Sequence, residues 1–149
     1  MDYCKALYAG LPKQTISRLQ LIHNVAASRV HTHTHKYEHI APVLKSLHKL
    51  PVQHGIDFKI LLIVYKALNG LAPQYISDLL TDYSLIRPLR SSGAGLLAVP
   101  RIRCRSGEGA LCCCGPALWN KLPADLRSIT TVFTFKSKLK TFLFSQVYG

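Results

Sequence analysis

Residues 50–73 read LPVQHGIDFKILLIVYKALNGLAP, the longest apolar stretch in a chain of 149 residues. Its two ends carry agreeing signals. Pro51 suits a first helical turn, where its missing N–H costs nothing. Gly70 stands where a helix needs a left-handed residue to end, and Pro73 follows it. Between them Ile56, Ile60, Ile63, Val64, Ala67, Leu68 and Leu71 recur largely at spacings of three and four. That spacing puts them on one face of a helix. Phe58, Leu61, Leu62 and Tyr65 widen the apolar surface beyond one stripe. The stretch is expected to be a central helix touched on several sides.

Outward from it, the chain reads as further helices. Within Lys13–Val30, Ile16, Leu19, Ile22, Ala26 and Val30 step by three or four, with Thr15 or Ser17 placed to cap the start. Pro42 opens a short helix through Val43, Leu44 and Leu47. Tyr75, Ile76, Leu79 and Leu80 give another after Pro73. At residues 101–105 basic residues alternate with Ile102 and Cys104, after the apolar run LLAV at 96–99. This predicts a strand or hairpin with one basic edge, and Pro100 places it at an edge. Short helices are expected around Gly115-Pro116 and Leu122-Pro123, with Trp119 as a core anchor. Val132, Phe135, Leu139, Phe142 and Leu143 form one face of a last helix, capped by Thr130 or Thr131. Phe133 and Phe144 are surplus apolar surface. The expected fold is mainly α: a small helical domain with a short basic β-hairpin or strand between helices. It divides into residues 1–83 and 84–149, or forms one continuous domain. Residues 2–11 carry no start signal and read as the interior of a longer chain.

Apolar residues make up 48% of the chain, enough to build a core. Nineteen Lys and Arg against seven Asp and Glu give a net charge of +12. A charge of that size points to an anionic partner, nucleic acid first. Five cysteines, an odd number, stand in a chain whose first residues form no basic leader with an apolar core. That speaks against a secreted disulfide framework and for a reducing cytoplasmic or nuclear location. The longest apolar run, Ile60–Tyr65, is far too short to span a bilayer, so no membrane role is expected.

The candidate phosphate contacts are Arg87, Arg90, Arg101, Arg103 and Arg105, which come with no acidic residue between them. The guanidinium fork suits phosphate. Lys136, Lys138 and Lys140 read as the solvated side of the last helix. His31, His33 and His35 in HTHTH are spaced to share one side of a strand, but such short tracts are permissive and a solvated loop is the plainer reading. Cys112, Cys113 and Cys114 are adjacent, whereas zinc ligands are separated by two or more residues. They read as small buried thiols. Ser92-Gly93-Ala94-Gly95 lacks the lysine and helix of a phosphate loop. The acidic residues are scattered singly and make no two-metal pair. No catalytic residue, metal site or cofactor is expected.

Seven blocks then carry a likeness: DYCKALYAGLP (2–12), RLQLIHNVAA (18–27), EHIAPVLKSLHKLPV (38–52), DFKILLIVYKALNGLAPQYISDLL (57–80), LRSSGAGLLAVPR (89–101), GPALWNKLPADLRS (115–128) and FKSKLKTFLF (135–144). In this order, over nearly the whole chain, they resemble the carboxy-terminal region of vertebrate non-LTR (LINE-type, jockey-like) retrotransposon reverse transcriptases, downstream of the palm. The resemblance implies a thumb-like accessory part without the polymerase carboxylates, since the family's Tyr-x-Asp-Asp motif is not in this sequence. It implies non-specific contact with RNA template or target DNA, and an upstream polymerase domain as partner. Two departures stand out. Family members carry basic residues near His33, His35 and His54, so HTHTH reads as a worn basic loop. They carry tryptophan where Lys49 stands, which puts a charge at an expected core position, costing a few kcal/mol if it is truly buried.

Overall fold

The central stretch folds as a helix, and its ends are closed by two different devices. A computed structural model describes residues 8–30, 40–83, 95–101 and 110–149. In it α1 is Lys13–Val30, α2 Ile40–Ser46 and α3 Val52–Leu68. Pro51 is the residue before α3, in extended conformation, and offers no side-chain cap. The cap comes from another helix: Gln20 of α1 accepts the Val52 N–H at 2.7 Å through Oε1. At the other end Gly70 has φ +67°, as the sequence predicts. Gly70 N–H donates to the Ala67 carbonyl and Leu71 N–H to the Lys66 carbonyl, at 3.3 and 2.8 Å. This is the paired closure of a helix by a left-handed residue. α2 ends by the same pairing, with His48 at φ +51° in the position glycine usually takes.

The rest of the described chain is α4 (Gln74–Ser77), α5 (Leu111–Trp119), α6 (Ala124–Arg127) and α7 (Val132–Tyr148). α3 packs against α1, α4, α5 and α7. Ile56, Ile60, Leu61, Val64, Tyr65 and Ala67 are buried, which makes α3 the hub that its wide apolar surface predicted. Leu68 and Leu71, expected on the same face, are exposed, because they lie at and beyond the end of α3. The main core draws Leu97, Trp119, Leu122, Leu126, Phe135, Leu139 and Leu143 onto α3. Tyr65 and Phe135 stack at 4.1 Å between ring centroids, with Trp119 tilted against Phe135 at 6.0 Å. Trp119 is thus the core anchor expected of it.

α5 is one of the short helices expected around Gly115-Pro116, and it runs unbroken through both residues. Both residues are buried, and a Cβ at Gly115 would lie 3.0 Å from Val64 Cγ2, so close packing on α3 offsets the lost helical hydrogen bond. α1 covers only part of its expected face: Ile16 and Leu19 are half-buried, but Ile22 and Ala26 are exposed, as are Leu21 and Val25, and the residue buried with Val43 and Leu44 of α2 is Ala27. The side chain of Val30 lies outside the described set. Its start is not capped by Thr15 or Ser17, whose hydroxyl donates to the Lys13 carbonyl instead. Lys49 is exposed, so the feared buried charge does not exist; the chain turns outward there on leaving α2.

Thr131 is the residue before α7, and its hydroxyl bonds the Thr134 hydroxyl at 2.7 Å without capping a backbone N–H. Among the described residues strand pairing is limited to one antiparallel bridge, Asp82 with Leu97. Most of the expected hairpin falls on residues outside the described ones. No helix among the described residues is long and apolar enough to cross a membrane.

Candidate nucleic-acid interface

The arginine stretch is represented by one described residue. Arg101 is exposed at the end of the segment 95–101. Arg87, Arg90, Arg103 and Arg105 lie outside the described residues, as do His31, His33 and His35.

The described cations gather elsewhere. α7 carries Lys136, Lys138 and Lys140, all exposed, and no acidic residue over its 17 residues. Its C-terminal end is fixed against the α2–α3 connection. Tyr148 Oη donates to the Lys49 carbonyl at 3.0 Å, and Lys45 Nζ to the Tyr148 carbonyl at 3.2 Å. Phe144, expected as surplus surface, is half-buried between Tyr148 at 4.7 Å and the ring of His48 at 5.9 Å. Phe133 does stay out, at 85% exposure.

This docking leaves a groove of about 600 Å³ bounded by α1, the α2–α3 connection, α3 and α7. Lys49, Lys59, Lys136 and Lys140 line it, and among the described residues no acidic side chain does. Its apolar lining includes Leu19, Ile22, Leu47, Leu50, Val52 and Phe58. Four ammonium groups around one concavity, with no described carboxylate among them, focus positive potential there. The sequence reading missed this site. Lys136 and Lys140 stand four apart and so share a side of α7, which is a legible signal. Lys49 and Lys59 join them only through the packing of α3 on α7.

Of the three thiols expected to be buried, Cys113 is, while Cys112 and Cys114 are half-buried. Cys112 Sγ and Cys113 Sγ lie 3.5 Å apart. Burial, then the neighbouring thiols, push Cys113 up to about 11. Burial also raises Cys114. Thiols that keep their protons are poor nucleophiles and poor metal ligands. Among the described residues no three His, Cys, Asp or Glu side chains are placed to hold a metal ion. Asp57 of α3 has its carboxyl pKa raised by burial, partly countered by a hydrogen bond from Gln53 and by the charges of His54 and Lys121.

Comparison with protein-family models, with curated proteins and with solved structures finds no match.

Proposed function

We propose that this chain is a non-catalytic accessory region of a non-LTR retrotransposon reverse transcriptase that holds RNA or DNA through its cations without reading sequence. The family origin rests on the seven ordered blocks quoted above. The contact with nucleic acid rests on one observation: Lys136 and Lys140 of α7 converge with Lys49 and Lys59 around a groove that none of the described acidic residues lines. Lysine ammonium groups are point charges that attract phosphate and leave base identity unread. Arg101, which is exposed, adds a further cation to the proposal.

Titration of a labelled 20-nucleotide single strand and its duplex over a range of salt tests this. Binding is expected at low salt, with affinity falling linearly on a log–log plot. Replacing Lys136, Lys138 and Lys140 together by Gln removes up to three phosphate contacts and flattens the slope by about 2 for a single strand and by about 3 for a duplex. No binding at about 50 mM salt, or a slope that the triple variant leaves unchanged, overturns the reading.

A further inference from the structure

Phosphates account for the lysines of the groove but not for its apolar lining. Leu19, Ile22, Leu47, Leu50 and Val52 are aliphatic and present no side-chain donor or acceptor. A nucleobase seated on them finds no hydrogen-bond partner there; those of the groove are Tyr8, His23, His48 and the lysines, and burying ring-edge polar groups out of their reach is costly. Apolar side chains of a peptide carry no such cost. The apolar surface also runs past the groove. Ile22 lines it at 56% exposure, and Leu21 and Val25 beside it on α1 are 63% and 54% exposed. Such a continuous exposed patch marks an interaction surface. The groove therefore joins an aliphatic side, made largely by α1 and the α2–α3 connection, to cations from α3, α7 and that connection.

We infer that this groove is a docking site for an acidic amphipathic helix of a partner protein, whose apolar face lies on Leu19, Ile22 and Leu50 and whose carboxylates meet Lys59, Lys136 and Lys140. The chemistry is that of a helix in a groove, read by apolar anchors at i, i+3, i+4 and i+7. Charge complementarity selects an acidic partner and rejects a basic one. Because the same lysines attract phosphate, partner helix and nucleic acid exclude one another.

The test uses the full chain and three labelled ligands. One is a 16-residue peptide with Leu at the anchor spacing and Glu flanking it. The second is the same composition scrambled to destroy the apolar face. The third is a 20-nucleotide single strand. The amphipathic peptide is expected to bind about tenfold more tightly than the scrambled one, the effect of burying one or two further side chains. The double variant Ile22→Ser/Val25→Ser, altered only at exposed positions, is expected to erase that difference and leave oligonucleotide affinity unchanged. Lys136→Gln/Lys140→Gln weakens all three ligands, and excess peptide displaces the oligonucleotide. Equal binding of the two peptides overturns the proposal. So does a double serine variant that loses oligonucleotide affinity as well, since bases would then occupy the aliphatic surface. Simultaneous binding of peptide and oligonucleotide overturns the shared site. Failure of the oligonucleotide to bind at low salt removes the nucleic-acid reading alone and leaves the peptide comparison intact.

Discussion

The side-chain amide of Asn120 completes both backbone hydrogen bonds of Leu97. Leu97 N–H donates to Asn120 Oδ1 at 2.9 Å, and Asn120 Nδ2 donates to the Leu97 carbonyl at 2.8 Å. Next to it, Trp119 Nε1 donates to the Gly95 carbonyl at 2.9 Å. The end of α5 thus acts as an edge strand for the segment 95–98, whose other side pairs with residues 81–83. Leu97 is only 1% exposed, so its peptide groups have no ready recourse to water. Asn120→Ala leaves a donor and an acceptor unpaired and is expected to cost about 2–3 kcal/mol. Urea unfolding measures it; a loss under about 0.5 kcal/mol would show that water replaces the amide.

The Tyr65 hydroxyl is buried without a hydrogen-bond partner among the described residues. Tyr65→Phe keeps the stack on Phe135 and removes an unpaired polar group. It is expected to leave stability unchanged or raise it by up to about 1 kcal/mol. A fall of more than about 1 kcal/mol in thermal or urea unfolding would mean that the hydroxyl has a partner.

Phe133 and Phe135 are two positions apart on α7 and are expected to behave oppositely. Phe135 is fully buried between Tyr65 and Trp119, so Phe135→Ala should cost about 3–5 kcal/mol. Phe133 is 85% exposed, so Phe133→Ser should change stability by no more than about 0.5 kcal/mol. Matched unfolding curves for the two variants decide it. Equal losses would mean that α7 docks by another face.

Gly70 and Gly115 should resist alanine for different reasons. Gly70 sits at φ +67° with open space around it, so Gly70→Ala adds only backbone strain, about 1 kcal/mol. Gly115 is helical, and alanine there gains about 1 kcal/mol of helix propensity. Its Cβ, however, meets Val64 Cγ2 at 3.0 Å in the fully buried core. Overpacking of that kind costs about 1–3 kcal/mol, so a net loss is expected. A more stable Gly115→Ala protein would show that α3 and α5 can move apart freely.

The buried thiol of Cys113 gives stability a pH dependence. Its ordinary value of 9.0 rises to about 11 in the folded chain, chiefly through burial. Below pH 9 both states keep the proton, and its contribution is fully present. Above pH 9 the unfolded chain ionises first, so stability falls as pH climbs towards 11. Urea midpoints at pH 8 and pH 10 should differ less in Cys113→Ala than in the unaltered chain, by direct comparison of the two slopes.

Much of this was legible in residue order. Apolar spacing located α3 and α7, because one buried face suffices to fix a helix. Gly70 announced its turn, because only a residue without a side chain takes φ > 0 freely. α1 misled for a physical reason. Its apolar residues outnumber what its packing covers, so spacing alone could not choose which face turns inward. The face that α1 leaves out, with Ile22, Leu21 and Val25, became part of the proposed docking surface. The groove was half legible: Lys136 and Lys140 share a helix side, but nothing in their spacing reveals Lys49 and Lys59.

The sequence by itself determined that the chain is helical, that α3 collects the core and that the surface is strongly basic. These follow from local periodicity and composition, which need no partner. Only the tertiary structure decided that Gln20 of α1 caps α3, that Asn120 stands in for a strand beside Leu97, and that four lysines from distant positions meet around one aliphatic groove. Each of these joins residues brought together by helix packing, and local spacing carries no record of which helices pack.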